Sequence, residues 1–499
     1  MELKAHNTIT IDVKDLHVTI SGQEILKGYD FHLDGSEVVG IVGESGSGKS
    51  MFVRSLIGLL PAGAKPAGEY KINGKSFSLA AKEKEWRKVR GSEIGMVMQD
   101  PFTALNPAEK CGRQIFAGVP KQGRAGFNVS TALAEVGLPG NVAERYPSQL
   151  SGGQRQRVII AAALATRPKL LIADEATTAL DVITQEEILD LIFRIRSQRG
   201  MPLILITHNI LLAKQRTDRI FVMNDGGIVE FGKTAEILVH PKEEKTRNLL
   251  AANRFLLKAP YVTSDLEKKV VLCTQGLDKT FGNNKALEDV SVIVHTGECV
   301  GIVGQSGSGK TTLGRCIVGL TRPDQGQINY FGKGNPQIVF QDPYNSLNPS
   351  HTIRYILEEA LGAAKRPKSE LAEIISLAEV PETVLDRKPA GLSGGQRQRV
   401  AIARALAPQP DLIICDESVS ALDVKVQNQI LTMIERLRKE RNLAILFITH
   451  DLSVLRMIAG RVYVMNNAKI VENGTTQQIF ESARDDYTKC LIAASALNV

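Results

Sequence analysis

GIVGESGSGKS at residues 40–50 returns as GIVGQSGSGKT at residues 301–311, an offset of 261. In both places a short apolar run breaks into a glycine-rich turn ending in Lys-Ser or Lys-Thr, and a helical pattern follows. A strand, a turn and a helix in that order are what turn the spacing G-x-x-x-x-G-K-[ST] into a phosphate-binding loop. Gly43, Gly46 and Gly48 let backbone N–H groups face inward around phosphate oxygens, with Glu44, Ser45 and Ser47 filling the turn. Lys49 supplies a point charge for the β and γ phosphates, and Ser50 a hydroxyl for Mg2+. Gly304, Gln305, Ser306, Gly307, Ser308, Gly309, Lys310 and Thr311 are set out for the same tasks. One such match can be a flexible glycine turn; two in a domain-scale repeat argue for two ATP sites.

Working outward, LSGGQRQRV at 150–158 returns at 392–400, now with an offset of 242. The same offset relates the QDP beginning at Gln99 to that at Gln341, Asp174-Glu175 to Asp416-Glu417, and His208 to His450. The first copy therefore holds nineteen extra residues between its phosphate loop and its QDP. They fall around the charged stretch KEKEWRKVRG (82–91), which reads as a surface insertion between strands. The copies join through the polar LKAPYVTSDLEKK, so the expected organisation is 1–256 for the first domain with its tail, 257–269 for the linker and 270–499 for the second domain.

Short apolar runs at 37–42, 169–174 and 202–207 have the continuous character of strands buried on both faces. Between them, 184–199 carries Ile188, Leu189, Ile192 and Ile195 on one helical face. Strands alternating with helices predict an α/β fold with a mainly parallel sheet in each copy. One strand per copy ends in two acids, LLIADE (170–175) and LIICDE (412–417). The first acid, Asp174 or Asp416, is placed to face the phosphate loop and hold Mg2+ through water. The second, Glu175 or Glu417, is placed to polarise an attacking water as general base.

Composition agrees with a globular chain: 499 residues, 43% apolar and 23% charged, which excludes wholesale disorder and a single small module. Sixty-one basic against fifty-four acidic residues leave +7, a mild excess that could suit phosphates, nucleic acid or an anionic membrane surface but, spread over this length, reads as ordinary solvated faces. The apolar stretch 158–165 lies between Arg157 and Arg167, far short of the ~20 residues of a spanning helix. The polar N-terminus carries no secretion signal pattern, and the six cysteines are scattered, with no metal or iron-sulfur spacing.

The set LSGGQ, phosphate loop, acidic strand end and a His after a strand (THN at 207–209, THD at 449–451) resembles the ABC-type ATPases across nearly the whole chain. QDPFTALNP (99–107), QDPYNSLNP (341–349), RYPSQLSGGQRQRV (145–158) and the tail HPKEEKTRNLLAA (240–252) are similar to the ATP-binding subunits of dipeptide, oligopeptide and nickel importers. Copy one looks like the D-type subunit and copy two like the F-type, fused in one chain. The resemblance implies two tandem P-loop ATPase domains, each with a helical subdomain beside its sheet. It further implies a head-to-tail pairing in which Ser393, Gly394, Gly395 and Gln396 close the nucleotide at Lys49, while Ser151, Gly152, Gly153 and Gln154 close the one at Lys310. His208 and His450 would contact the γ phosphate or the water, Gln99 and Gln341 the metal and water, and Asp181 and Asp423 would signal across the pair.

By the 261 offset Phe281, the expected adenine-stacking ring, faces Ile20 in copy one, so weaker nucleotide binding is expected there. Asn209 stands opposite Asp451 and Ala176 opposite Ser418, and neither exchange removes a catalytic group. The implied function is ATP hydrolysis that energises import of a peptide or similar solute, with ATP and Mg2+ as cofactors. The implied partners are two separate transmembrane permease subunits and an external solute-binding protein, with this chain peripheral at the cytoplasmic face of the inner membrane. No nucleic acid and no iron-sulfur cluster are expected; the tail holds only Cys490 where some relatives carry a cluster. The competing reading is a soluble tandem ABC ATPase acting on ribosomes, which typically has a long charged arm where this chain has a short join.

Overall fold

The computed structural model describes residues 9–44, 46–98, 100–101, 103–177, 180–258, 261–262, 268–419 and 422–496. The chain divides into two compact units, the first holding residues up to 180 and 184–253, the second 181–183 and 254 onward. In the first unit a six-stranded sheet runs in the order Gly227–Lys233, Arg219–Asn224, Val38–Gly43, Leu203–Thr207, Leu170–Asp174, Ile94–Val97. All neighbours are parallel except the edge pair Gly227–Lys233 and Arg219–Asn224. The second unit repeats this order with Lys469–Thr475, Arg461–Asn466, Cys299–Val303, Ala444–Thr449, Leu412–Asp416 and Gln337–Val339. The phosphate-loop strands, the acid-bearing strands and their neighbours Leu203–Thr207 and Ala444–Thr449 are buried throughout, as expected of unbroken Val, Ile and Leu runs covered on both faces.

Register brings the functional ends together. Val42 lies beside Thr207, and Asp174 beside Ile206; in the second unit Val303 lies beside Thr449, and Asp416 beside Ile448. The phosphate loop, the acid pair and the histidine therefore all emerge from the carboxyl ends of adjacent parallel strands, where open α/β sheets bind ligands. Val182–Arg199 forms the expected helix, two residues longer at its start than the pattern implied, with Ile188, Leu189, Ile192 and Ile195 buried.

Each unit adds an antiparallel sheet and a helical part. The antiparallel strands are Ile11–Ile20, Gln23–Leu33, Lys65–Ile72 and Lys75–Ser76 in the first unit, and Val270–Phe281, Asn284–Val290, Ile293–His295 and Gln325–Tyr330 in the second. The helical part holds Cys111–Ala117, Val129–Glu135 and Gly152–Ala165 in the first, and Ile353–Ala363, Leu371–Leu377 and Gly394–Leu406 in the second. Among the described residues no helix is long and apolar enough to cross a membrane.

An ion pair closes the opposite end of each phosphate-loop strand. Arg219 donates through Nε and Nη2 to Glu37 at 2.8 and 2.6 Å, and Arg461 donates to Glu298 at 2.7 and 3.0 Å. Glu298 is 2% exposed, whereas Glu37 is 21% exposed. The second pair is therefore the one held out of water. Burial alone would push the Glu298 carboxyl up, but Arg461 and the His295 backbone N–H, which donates at 2.9 Å, pull it below the ordinary range.

The nineteen-residue insertion differs from the surface segment expected of it. Glu83–Val89 is a helix whose Trp86 and Val89 are 3% and 4% exposed. Trp86 meets Phe77 at 4.7 Å edge-on and Tyr70 at 6.3 Å stacked, inside the same core as the phosphate-loop helix residues Phe52 and Val53. Lys and Glu on the outer face hid this, because the charges that dominate the composition flank the one ring that the helix buries. Gly58 shows how close the fit is: its φ is +63°, and a Cβ there would lie 2.2 Å from the Trp86 ring.

Candidate nucleotide site, built twice

The strand Val38–Gly43 ends in the loop that opens the helix Lys49–Leu56, and Gly48 caps that helix with φ at +100°. A Cβ at Gly48 would approach Leu26 to 2.9 Å, so both the backbone and the space require glycine. Lys49 is 5% exposed and donates to the carbonyls of Gly43 and Glu44, each at 2.9 Å. Lys310 does the same to Gly304 and Gln305 at 2.8 and 2.7 Å. Each lysine is thus folded back over its own loop with its ammonium poised where phosphate oxygens would replace carbonyls. The Ser47 and Ser308 hydroxyls are buried against the loop without a hydrogen-bond partner, an arrangement that costs stability unless a ligand oxygen supplies the partner.

Ser50 donates to Asp174 at 3.1 Å, and Thr311 donates to Asp416 at the same distance. Burial drives the Asp416 carboxyl up to about 6 and moves Asp174 upward for the same reason, the hydroxyl hydrogen bonds opposing it. A carboxylate held in so dry a place, beside a hydroxyl oxygen, is a ready ligand for a cation.

The next residue in each copy has left-handed backbone, φ +45° at Glu175 and +47° at Glu417. Side chains rarely adopt this region, and such strain clusters where a structure positions a reacting group. Glu175 lies 3.9 Å from the Lys49 ammonium and 3.7 Å from His208 Nδ1. Glu417 lies 3.4 Å from His450 Nδ1 and accepts from Gln341 Nε2 at 2.8 Å. Burial would raise the Glu417 carboxyl, but the His450 contact and the Lys310 charge outweigh it and keep it below the usual range. For His450 burial opposes the charged form, and the Glu417 contact overrides it, so the ring holds its proton more tightly than a free imidazole.

Each unit thus gathers the loop lysine, the hydroxyl, both acids and the histidine. Gln341 joins the second cluster; Gln99 and Ser45 lie outside the described residues. The signature residues cap and pack their own helices. Ser151 caps Gly152–Ala165 in a reciprocal box with Gln154 at 3.3 and 3.2 Å, and Ser393 caps Gly394–Leu406 with Gln396 at 3.3 and 2.9 Å. Gly153 and Gly395 are small for packing: a Cβ would meet Thr184 at 2.6 Å or Val426 at 2.5 Å. Asp181 is buried just ahead of Val182–Arg199, and Asp423 caps Val424–Arg441 by accepting from Val426 N–H at 3.0 Å. Asn209 and Asp451 do one job, each capping the helix after its histidine, at 3.0 Å to Leu211 N–H and 2.8 Å to Ser453 N–H. Phe281, at the end of its strand, is 52% exposed with the Lys279 ammonium 5.4 Å from its centre; Ile20 packs against the first unit's core.

Three features went unread in the sequence. The left-handed glutamates and the Glu298–Arg461 pair leave no local signature. Trp86 did leave one, since Trp86 and Val89 stand one helical turn apart.

A duplicated α/β core with these clusters at its strand ends defines a P-loop ATPase of the ABC class. A family model described as ABC transporter matches residues 26–178 and 287–420, and the chain belongs to that family. It is 40% identical to the peptidoglycan transport ATP-binding protein YejF of Agrobacterium fabrum, over 93% of this chain and 92% of that one. With the glutathione import ATP-binding protein GsiA of Salmonella choleraesuis it shares 36% identity over 99% of this chain and 90% of the relative. Among solved structures it resembles an RNase-L inhibitor, with a TM-score of 0.64, 22% identity and 95% of each chain covered, a likeness of fold.

Proposed function

We propose that this chain hydrolyses ATP to energise import of a peptide or a similarly handled small solute through two separate permease subunits. An external solute-binding protein delivers the cargo, and the chain works peripherally at the cytoplasmic face of the inner membrane. The observation that carries this reading is a complete set of lysine, hydroxyl, acid pair and histidine in both copies, in a chain whose sequence relatives over nine-tenths of its length act in peptidoglycan transport and glutathione import. Ribosome action rests on likeness of fold alone, at 22% identity to a ribosome-bound archaeal Pelota and ABCE1 structure, and gains nothing from the sequence relatives.

The residues fit a magnesium nucleotide. Ser50 with Asp174, and Thr311 with Asp416, form hydroxyl-carboxylate pairs. Among the described residues no group of three His, Cys, Asp or Glu side chains could hold a metal unaided, which suits Mg2+ shared with phosphate oxygens and water. When bound it would neutralise charge on the phosphates. Lys49 and Lys310 bind phosphate; Glu175 and Glu417 take the proton from the attacking water; His208 and His450 hold each glutamate and the water in line. Each signature helix, with its capped N-terminus, would present N–H groups to the γ phosphate of the nucleotide bound by the other copy, so that closure depends on the γ phosphate and is released by hydrolysis.

The test is to trap the closed state: purify the Glu175→Gln, Glu417→Gln double variant with ATP and Mg2+ from gently solubilised cells. Two multi-span permease polypeptides should accompany it. Ribosomes or nucleic acid without a membrane protein would overturn the transport reading.

A further inference from the structure

The tail of the second copy reaches its own phosphate loop. The helix Asp486–Ala496 begins beside the loop, and the Tyr487 hydroxyl accepts a hydrogen bond from the Gln305 backbone N–H at 2.7 Å. The carbonyl of the same residue accepts from the Lys310 ammonium, also at 2.7 Å. Gln305 is therefore gripped on both sides, by the tail through its N–H and by the phosphate lysine through its C=O. Tyr487 is half-buried there, and burial pushes its hydroxyl up to about 12, so it remains protonated and available as a neutral acceptor.

The tail itself is anchored to the sheet. Glu472, on the edge strand Lys469–Thr475, accepts from the backbone N–H groups of Arg484 and Asp485 at 2.8 and 3.2 Å. The first copy repeats that anchor, with Glu230 accepting from Lys242 and Glu243 at 2.8 and 3.3 Å. It does not repeat the tyrosine. Lys245 stands at the place of Tyr487 by the 242 offset, and it is exposed. The two tails are thus fastened alike to their sheets, but one alone carries a ring hydroxyl into the loop.

We infer that Tyr487 is a positioning residue for the second ATP site: its hydroxyl sets the first turn of the phosphate loop and couples nucleotide binding there to the C-terminal tail, in an arrangement the first site lacks. The inference rests on reading 304–311 as a nucleotide site. A hydrogen bond that orients the Gln305 peptide also orients the carbonyl over which Lys310 is folded, so the lysine's resting position depends on the tail. Anything that displaces the tail helix would loosen the second site and leave the first as it was.

The experiment measures equilibrium binding of Mg-ATP to the full chain carrying Glu175→Gln and Glu417→Gln to stop turnover, with Lys49→Ala so that the second site reports alone. Adding Tyr487→Phe, which keeps the ring and removes the hydroxyl, should weaken binding about three- to tenfold, the worth of one such bond. The melting temperature without nucleotide separates this from a role in folding, since loss of tail packing alone would lower melting and leave affinity unmoved. Lys245→Phe in the matching chain with Lys310→Ala in place of Lys49→Ala should leave first-site affinity unchanged. Binding by Tyr487→Phe within twofold of its parent would overturn the inference. Adding Lys310→Ala to the Lys49→Ala chain should abolish binding altogether; were full binding to survive there, the reading of 304–311 itself would fall instead.

Discussion

The two copies hold the same cluster of side chains on sheets of the same strand order, yet they stabilise it by different means. The first packs an inserted helix and its Trp86 ring against Gly58, while the second leaves the equivalent Gly319 with nothing nearby. The second instead buries the Glu298–Arg461 pair, which in the first is Glu37–Arg219 and partly wet. The second also presents Phe281 where the first tucks Ile20 into its core. Duplication has thus kept the cluster of lysine, hydroxyl, acid pair and histidine and let the supports diverge. The chemistry tolerates one geometry, whereas the support can come from an apolar core or from a shielded charge pair.

The largest effect should come from the feature the copies share. Replacing a general base lowers turnover at its own site by ~10²–10⁴-fold. Glu175→Gln or Glu417→Gln alone should therefore leave about half the steady-state ATPase rate if the sites act independently. The double variant should leave almost none. Unchanged turnover in Glu175→Gln beside complete loss in Glu417→Gln would break the equivalence of the copies.

The ion pairs come next. Glu298→Gln leaves Arg461 buried without its counter-charge and should destabilise the second copy by about 3 kcal/mol, read by urea unfolding. The same exchange at the wetter Glu37 should cost about 1 kcal/mol or less. Because the folded Glu298 carboxyl titrates below the ordinary value, its contribution is complete above that value and disappears as pH falls through the lowered one. The gap between wild type and Glu298→Gln should accordingly close on acidification and stay constant toward neutral pH.

Gly58→Ala and Gly319→Ala sharpen the contrast further. Both glycines have positive φ, +63° and +78°, so each alanine should cost about 1 kcal/mol from the backbone alone. At Gly58 the collision with Trp86 should add about 1–2 kcal/mol, and thermal unfolding should separate the two variants. Equal losses would mean that the inserted helix yields.

The smallest expected effect concerns the adenine. Phe281→Ala should weaken ATP binding at the second site by ~1 kcal/mol or somewhat more, and Ile20→Phe should strengthen the first by a comparable amount. Titrations in Lys49→Ala and Lys310→Ala backgrounds measure each site by itself. Equal affinities there would remove the asymmetry.

Much of this was legible in the sequence because the motif residues are spaced by backbone geometry. A strand end, a glycine turn and a helix start put Gly43, Lys49 and Ser50 in a fixed relation, and the unbroken apolar runs marked the buried strands. What escaped depends on contacts between distant positions. Glu298 meets Arg461 across 163 residues and Gln305 meets Tyr487 across 182, and no local pattern announces either. The helix around Trp86 was obscured for another reason. Seven of the ten residues at 82–91 are Lys, Arg or Glu in a near-continuous run, and their charge outweighs a single aromatic in any composition-based reading.

The chain contains one tryptophan, and it is the buried Trp86 of the first copy. Its intrinsic emission consequently belongs to one half of a molecule whose halves are otherwise hard to tell apart. As the first core opens and water reaches the indole, the emission should shift to longer wavelength, while unfolding confined to the second half should leave the colour of that light unchanged.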